Sequence, residues 1–212
     1  MTRRTLLSSG AAAPLASAAA TQPPNFVFLI SDDHSHGDLG CYGNPVVRTP
    51  NLDRLAAEGM RFENCFVSAA QCSPNRSSIL TGCAPHTTPT SRLHCAMPEW
   101  EPTIVDLLKQ RGYHCGAFRK VHQGAGFDRR WDFYGDGNTP FARFFDTLPA
   151  AKPFYLHVGF LDPHRPYKKG TYPVKHDPRQ AAPPPFLPDT PEIREDLADY
   201  YDAISRMDAD AG

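Results

Sequence analysis

The chain has 212 residues, 41% of them apolar and 21% charged, enough for one sizeable domain with a packed core. A formal net charge of −1 gives no electrostatic basis for nucleic acid or an anionic membrane as a partner. Six cysteines stand at 41, 65, 72, 83, 95 and 115 with no C-x-x-C pair, which argues against a zinc cluster.

The N-terminus reads as a targeting segment. Arg3 and Arg4 precede a mildly apolar run to Ala20, and Ala16-Ser17-Ala18 is a small-x-small cleavage site. This predicts a twin-arginine-like export signal over residues 1–22, a mature domain over 23–212, and a periplasmic or extracellular location. The run is too short to span a membrane, and no later stretch approaches that length, so no membrane span is expected.

Phe26-Val27-Phe28-Leu29-Ile30 is a continuous apolar run that predicts a buried parallel strand. Asp32 and Asp33 follow at its carboxyl end, where open α/β sheets bind ligands. Adjacent carboxylates repel unless a cation holds them, so the pair reads as ligands of one divalent metal, Ca²⁺ by all-oxygen ligation. The alternative is a solvated turn. His34 and His36 read as loop residues near the substrate rather than as ligands. Asn51–Gly59 predicts a helix capped by Asn51, with Leu52 and Leu55-Ala56 inward and Gly59 as its C′ residue. Phe62–Val67 predicts a short strand or extended lead into the next turn.

In Cys72-Ser73-Pro74-Asn75-Arg76, Pro74 suits the first turn of a helix ending near Thr81-Gly82. Cys72 would then sit at the helix mouth, where free N–H groups favour negative charge. Arg76 lies one turn on, on the same face, able to hydrogen-bond whatever Cys72 carries. Residues 83–100 read as loop. Residues 102–110 predict a helix with Ile104, Val105, Leu107 and Leu108 inward, and residues 113–118 a strand leading to Arg119-Lys120-Val121-His122-Gln123-Gly124. Phe154–Phe160 predicts a further buried strand in which His157 is a satisfied core residue, followed by the Asp162-Pro163-His164 loop. Residues 165–191 read as an irregular, proline-rich excursion shaping the entrance, and 192–211 as a helix with Ile193, Leu197, Tyr200-Tyr201, Ile204 and Met207 at helical spacing.

Cys72-Ser73-Pro74-Asn75-Arg76, Thr49-Pro50-Asn51-Leu52-Asp53, Asp32-Asp33 and Asp38-Leu39-Gly40-Cys41-Tyr42-Gly43, in that chain context, resemble the sulfatase family of the alkaline phosphatase-like superfamily. Leu161-Asp162-Pro163-His164-Arg165-Pro166 and Phe186-Leu187-Pro188-Asp189-Thr190 look most like its heparan N-sulfatase members. The resemblance runs from about Asn25 to Asp208. It implies an α/β fold, a mostly parallel central sheet flanked by helices on both faces. It implies hydrolysis of a sulfuric ester or sulfamate, with a sulfated carbohydrate as substrate. It also implies that Cys72 is oxidised by a formylglycine-generating maturation enzyme to an aldehyde whose hydrate supplies the attacking hydroxyl. Arg76, Lys120, His122 and His164 match the family's catalytic residues; Asp32, Asp33 and the residue at 72 match its metal ligands. Arg119 departs from the family's Gly-Lys-x-His-x-Gly pattern, which predicts a crowded backbone there.

Relatives carry a later Asp-Asn pair completing the metal site, and this sequence does not, so the expectation is a C-terminally truncated domain with little turnover alone. Two further readings stand beside hydrolysis of sulfate esters: a phosphonate or phosphodiester hydrolase of the same superfamily, and a non-catalytic remnant that binds sulfated glycans through the same cationic pocket.

Overall fold

The computed structural model describes residues 22–172 and 175–212; the predicted export signal therefore lies, apart from Gln22, outside the described residues. Four strands form one wholly parallel sheet in the order β1-β4-β2-β3, comprising β1 (Phe26–Ile30), β2 (His114–Arg119), β3 (Phe133–Gly135) and β4 (Phe154–Gly159). Among the described residues five α-helices accompany it: α1 (Pro50–Glu58), α2 (Cys72–Thr81), α3 (Ile104–Gln110), α4 (Ala142–Thr147) and α5 (Pro191–Ala211). Among the described residues no helix is long and apolar enough to cross a membrane.

Helices lie on both faces, as expected, because the side chains of β2 and β4 alternate between two cores. Cys115, Ala117 and Tyr155 pack with Leu80 of α2 and Val105 of α3. Phe118, Leu156 and Val158 pack with Phe144 of α4 and Met207 of α5. Gly116 is needed on this second face, since a Cβ there would lie 2.4 Å from the Phe144 ring. A third cluster of Val47, Ala181, Tyr200, Tyr201 and Ile204 holds part of the 165–191 excursion, which has no helix or strand among its described residues before Pro191, against α5.

Several expectations are corrected. β1 forms and is parallel, but it is not buried. Among the described residues only β4 pairs with it, and Val27 is 57% exposed. Apolar side chains on both faces of an edge strand are covered only when a further element packs beside it. In α1 the N-cap is Thr49, with Pro50 at the first turn. Asn51 instead reaches across the fold, its Nδ2 donating to the Asp208 carbonyl (3.1 Å) and carboxylate (3.1 Å), while Leu52 N–H donates to Asp208 Oδ1 (2.8 Å). Leu52 packs on the second core, but Leu55 is 60% exposed, and Gly59 is extended rather than left-handed. In α3 a capping box between Thr103 and Asp106 fixes the start, Val105 is buried, and Ile104 and Leu107 face outward. Residues 62–67 form neither strand nor helix, and Phe62, Phe66 and Val67 are exposed. β3 and α4 were not expected at all.

Candidate active site

The carboxyl ends of β1, β2 and β4 converge on the start of α2. Cys72 is the first residue of that helix, behind Gln71 in extended conformation, and Gly82 ends it with a φ of 70° and an N–H donated to Ser78 O (2.8 Å). The turn at Cys72 is internally braced. Ser77 Oγ donates to Ser73 O (2.8 Å) and pairs with Gln123 Oε1 (2.7 Å), and Gln123 Nε2 donates to Ser73 O (3.4 Å). Gln123 is buried, and it ties the helix start to the loop after β2.

Asp32, 4% exposed, is the electrostatic centre. Arg76 Nη2 donates to its Oδ1 (3.4 Å), and Lys120 Nζ donates to its Oδ2. Burial alone would raise the Asp32 pKa; the Lys120 hydrogen bond and the charges of Arg76 and Lys120 outweigh it and hold the carboxyl below its usual range. Arg76 is 2% exposed and spends its other arm on the Lys120 carbonyl (Nη1 to O, 2.5 Å). One carboxylate against two cations leaves one positive charge uncompensated among these three groups. The close approach depends on Gly159 at the end of β4: an added Cβ would lie 1.9 Å from Lys120 O and 3.0 Å from Arg76 Nη1.

Cys72 Sγ, a carboxylate oxygen of Asp32 and a ring nitrogen of His164 lie within 4.8 Å of one another. Burial, then the Asp32 charge, pushes the Cys72 thiol pKa up. Asp33 has a left-handed φ of 57°, and its exposed carboxylate has Oδ2 3.6 Å from His164 Nε2. His34 lines the same cleft of about 520 Å³ as Asp32, Asp33, Cys72 and Arg76, while its Nε2 pairs with the Asp38 carbonyl (3.1 Å). His36 packs against Tyr42 with the rings tilted by 47° and centroids 4.1 Å apart. His122 also has a left-handed φ, 62°, and its Nε2 meets His94 Nδ1 at 3.0 Å.

The structure thus gathers Asp32, Cys72, Arg76, Lys120 and His164 directly, with Asp33 against His164. His122 is linked to them by the charges of Lys120, Arg76 and Asp32 that act on it. His157 is buried as expected, but only half satisfied. Its Nδ1 pairs with Tyr155 Oη (3.1 Å), while Nε2 has no partner, and burial pushes its pKa down to about 3. Sequence reasoning missed Gln123, Gly159 and His94, which shape the site through contacts between distant segments.

Arg119, the residue that departs from the Gly-Lys-x-His-x-Gly pattern of the resemblance, takes a φ of 62°, the region glycine tolerates best. The strain, about 1–2 kcal/mol for a non-glycine residue, is offset. Its guanidinium sits between the rings of Phe141 (5.1 Å) and Phe160 (5.3 Å), and it pairs with Asp210 (2.9 Å).

A family model described as Sulfatase matches residues 24–151. The chain belongs to the sulfatase family. Human N-sulphoglucosamine sulphohydrolase is 31% identical over 232 aligned positions, covering 90% of this chain and 46% of that protein. Human arylsulfatase A is 42% identical over 116, covering 51% and 22%. A solved Bacteroides thetaiotaomicron structure, titled for the metabolism of multiple glycosaminoglycans, superposes with a TM-score of 0.69 at 17% identity, covering 89% of this chain and 56% of the other. A second solved structure, of a protein in complex with its substrate D-glucosamine-2-N,6-O-disulfate, gives a TM-score of 0.62 at 24% identity, covering 74% and 36%. These two neighbours share the sulfatase fold of this chain. The chain spans less than half the length of these two curated relatives.

Proposed function

We propose that this chain carries the sulfate-binding part of a hydrolase for sulfuric esters or sulfamates of glycans, with Cys72 as a formylglycine precursor and Asp32 and Asp33 as ligands of a divalent cation. The observation that supports this most is the meeting of Cys72, Asp32 and His164, from three separate segments, within 4.8 Å. A thiolate nucleophile would need a lowered pKa, and Cys72 is pushed the other way by burial and Asp32. A thiol held neutral at a helix mouth is better suited to be converted than to attack.

The donor set fits a hard cation in kind. Asp32 and Asp33 offer carboxylates, and an oxygen at position 72 would join them, fewer than the roughly 6–8 oxygens calcium takes. The cation would compete with Lys120 for Asp32 Oδ2, and it would supply charge that polarises a bound sulfate oxygen. Formylglycine, as its hydrate, would supply one hydroxyl to attack sulfur and a second to expel sulfate afterwards.

The chain's own residues do the rest. The uncompensated charge of the Lys120–Asp32–Arg76 group attracts the anion, and Lys120 is a donor aimed where negative charge grows. Arg76, buried and committed to Asp32 and the Lys120 carbonyl, positions both. His164, beside Cys72 and Asp32, and His122, on the loop that carries Lys120, are the imidazoles proposed to move protons. N-sulfated glucosamine is the favoured substrate, because the relative matched over 90% of the chain is an N-sulphoglucosamine sulphohydrolase. Residues 1–22 as an export signal and a formylglycine-generating enzyme as partner complete the proposal. With so few metal oxygens among the described residues, residues 23–212 alone are expected to turn over poorly.

The test uses the complete reading frame, co-produced with a formylglycine-generating enzyme and supplied with Ca²⁺. Sulfate release from N-sulfoglucosamine or an aryl sulfate, abolished by Cys72→Ala and by chelation, is the expected result. Faster cleavage of an aryl phosphodiester, or sulfated-glycan binding without turnover and indifferent to Cys72→Ala, would contradict it.

A further inference from the structure

His94 belongs to the 83–100 loop, far in sequence from the Lys120–Gly124 loop, yet the two are stitched together. Met97 N–H donates to Gln123 O (2.9 Å), and a Cβ on Gly124 would lie 2.5 Å from Ala96 Cβ. His94 N–H also donates to Ser73 Oγ (2.8 Å), the residue after Cys72. The His94 ring therefore meets His122 at a fixed place, Nδ1 to Nε2 at 3.0 Å with centroids 5.0 Å apart. The other nitrogen of His122, Nδ1, is buried without a partner. The charged groups acting on His122 are Lys120, Arg76 and Asp32, together with His94 itself.

A neutral imidazole carries one N–H, so the bond made by one nitrogen fixes what the other offers. We propose that His94 is a positioning residue: by holding His122 Nε2 (3.0 Å) it decides whether the buried, unpartnered Nδ1 of His122 carries a lone pair or a proton. This deepens the hydrolase reading and rests on it. Burial and then the positive charges of Lys120, His94 and Arg76 push the His122 pKa down, so loss of the His94 charge should move its titration upward.

The test compares wild type, His94→Phe, which keeps a ring without nitrogen, and His94→Asn. Asn tolerates the left-handed φ and restores a hydrogen-bonding group near Nδ1. In ¹⁵N-histidine spectra of the purified protein, His122 Nε2 is expected to be hydrogen-bonded in wild type and His94→Asn and released in His94→Phe, with its midpoint raised in both variants. Identical His122 signals and midpoints in wild type and His94→Phe overturn the proposal. In the matured, calcium-loaded protein, His94→Phe is expected to lower kcat at least about tenfold, within the roughly 10²–10⁴-fold worth of general acid–base catalysis. KM should be little changed, and His94→Asn should recover much of the loss. A kcat and pH profile unchanged in His94→Phe would also overturn it. Absence of turnover in every preparation would defeat the hydrolase reading, while the spectra would still decide the pairing.

Discussion

Replacing Asp32 with asparagine should destabilise the fold without changing the side chain's shape, by removing the charge and by turning one of the two accepting oxygens into a donor. Asp32 lies between Arg76, itself 2% exposed, and Lys120. Removing the shared anion leaves two cations facing each other away from water, at a cost of about 3–5 kcal/mol. With a urea m-value of about 2 kcal/mol/M, the unfolding midpoint should fall by roughly 1.5–2.5 M. The pH dependence has a definite sign. The folded carboxyl is held below its unfolded value of 3.8, so its contribution is complete above that value and disappears as pH falls through the folded pKa. Wild type and Asp32→Asn should therefore differ fully at pH 7 and converge in strong acid. The assay is urea unfolding followed by far-ultraviolet circular dichroism, in chelator so that no cation occupies the pocket. Adding Lys120→Met to Asp32→Asn should recover part of the loss. An Asp32→Asn protein within about 0.5 kcal/mol of wild type, the range of an ordinary surface change, would refute this reasoning.

Arg119→Ala keeps the left-handed backbone but loses the Phe141–Phe160 stacking and the Asp210 pair, so it should be less stable than Arg119→Gly by about 1 kcal/mol in thermal unfolding. Equal stabilities would mean that Arg119 carries no backbone strain. His157, neutral when folded with a pKa lowered from 6.5 to about 3, makes the fold lose stability as pH drops below 6.5, since the unfolded chain takes up the proton first. His157→Phe should flatten that acid limb between about pH 6 and 4 while costing roughly 1 kcal/mol at pH 7 for the lost Tyr155 bond. An unchanged acid limb would show that His157 is not held neutral.

Much of this was legible because local pattern and tertiary outcome agree. The apolar runs at 114–118 and 154–159 became the central strands, and the spacing from Ile193 to Met207 became α5. Cys72 at a helix mouth and Asp32 after β1 meet His164, which lies in the loop after β4 and which the family resemblance rather than its residue type had singled out. Three kinds of feature stayed hidden. β1 looked buried because its composition reports the strand's preference for cover, while exposure depends on what packs beside it. β3 and α4, at three and six residues, are too short to show a period. The left-handed φ of Arg119, His94 and His122 has no sequence marker when glycine is absent, so the His94–His122 contact could be read only from the fold.

The central claim is that position 72 is a formylglycine precursor, and peptide mass analysis tests it most directly. The chain would be co-produced with a formylglycine-generating enzyme, digested, and the fragment containing residue 72 weighed with and without an aldehyde-reactive hydrazide. The account predicts an aldehyde that traps the hydrazide at position 72. An unaltered thiol there, in a preparation where a control sulfatase is fully converted, would contradict it.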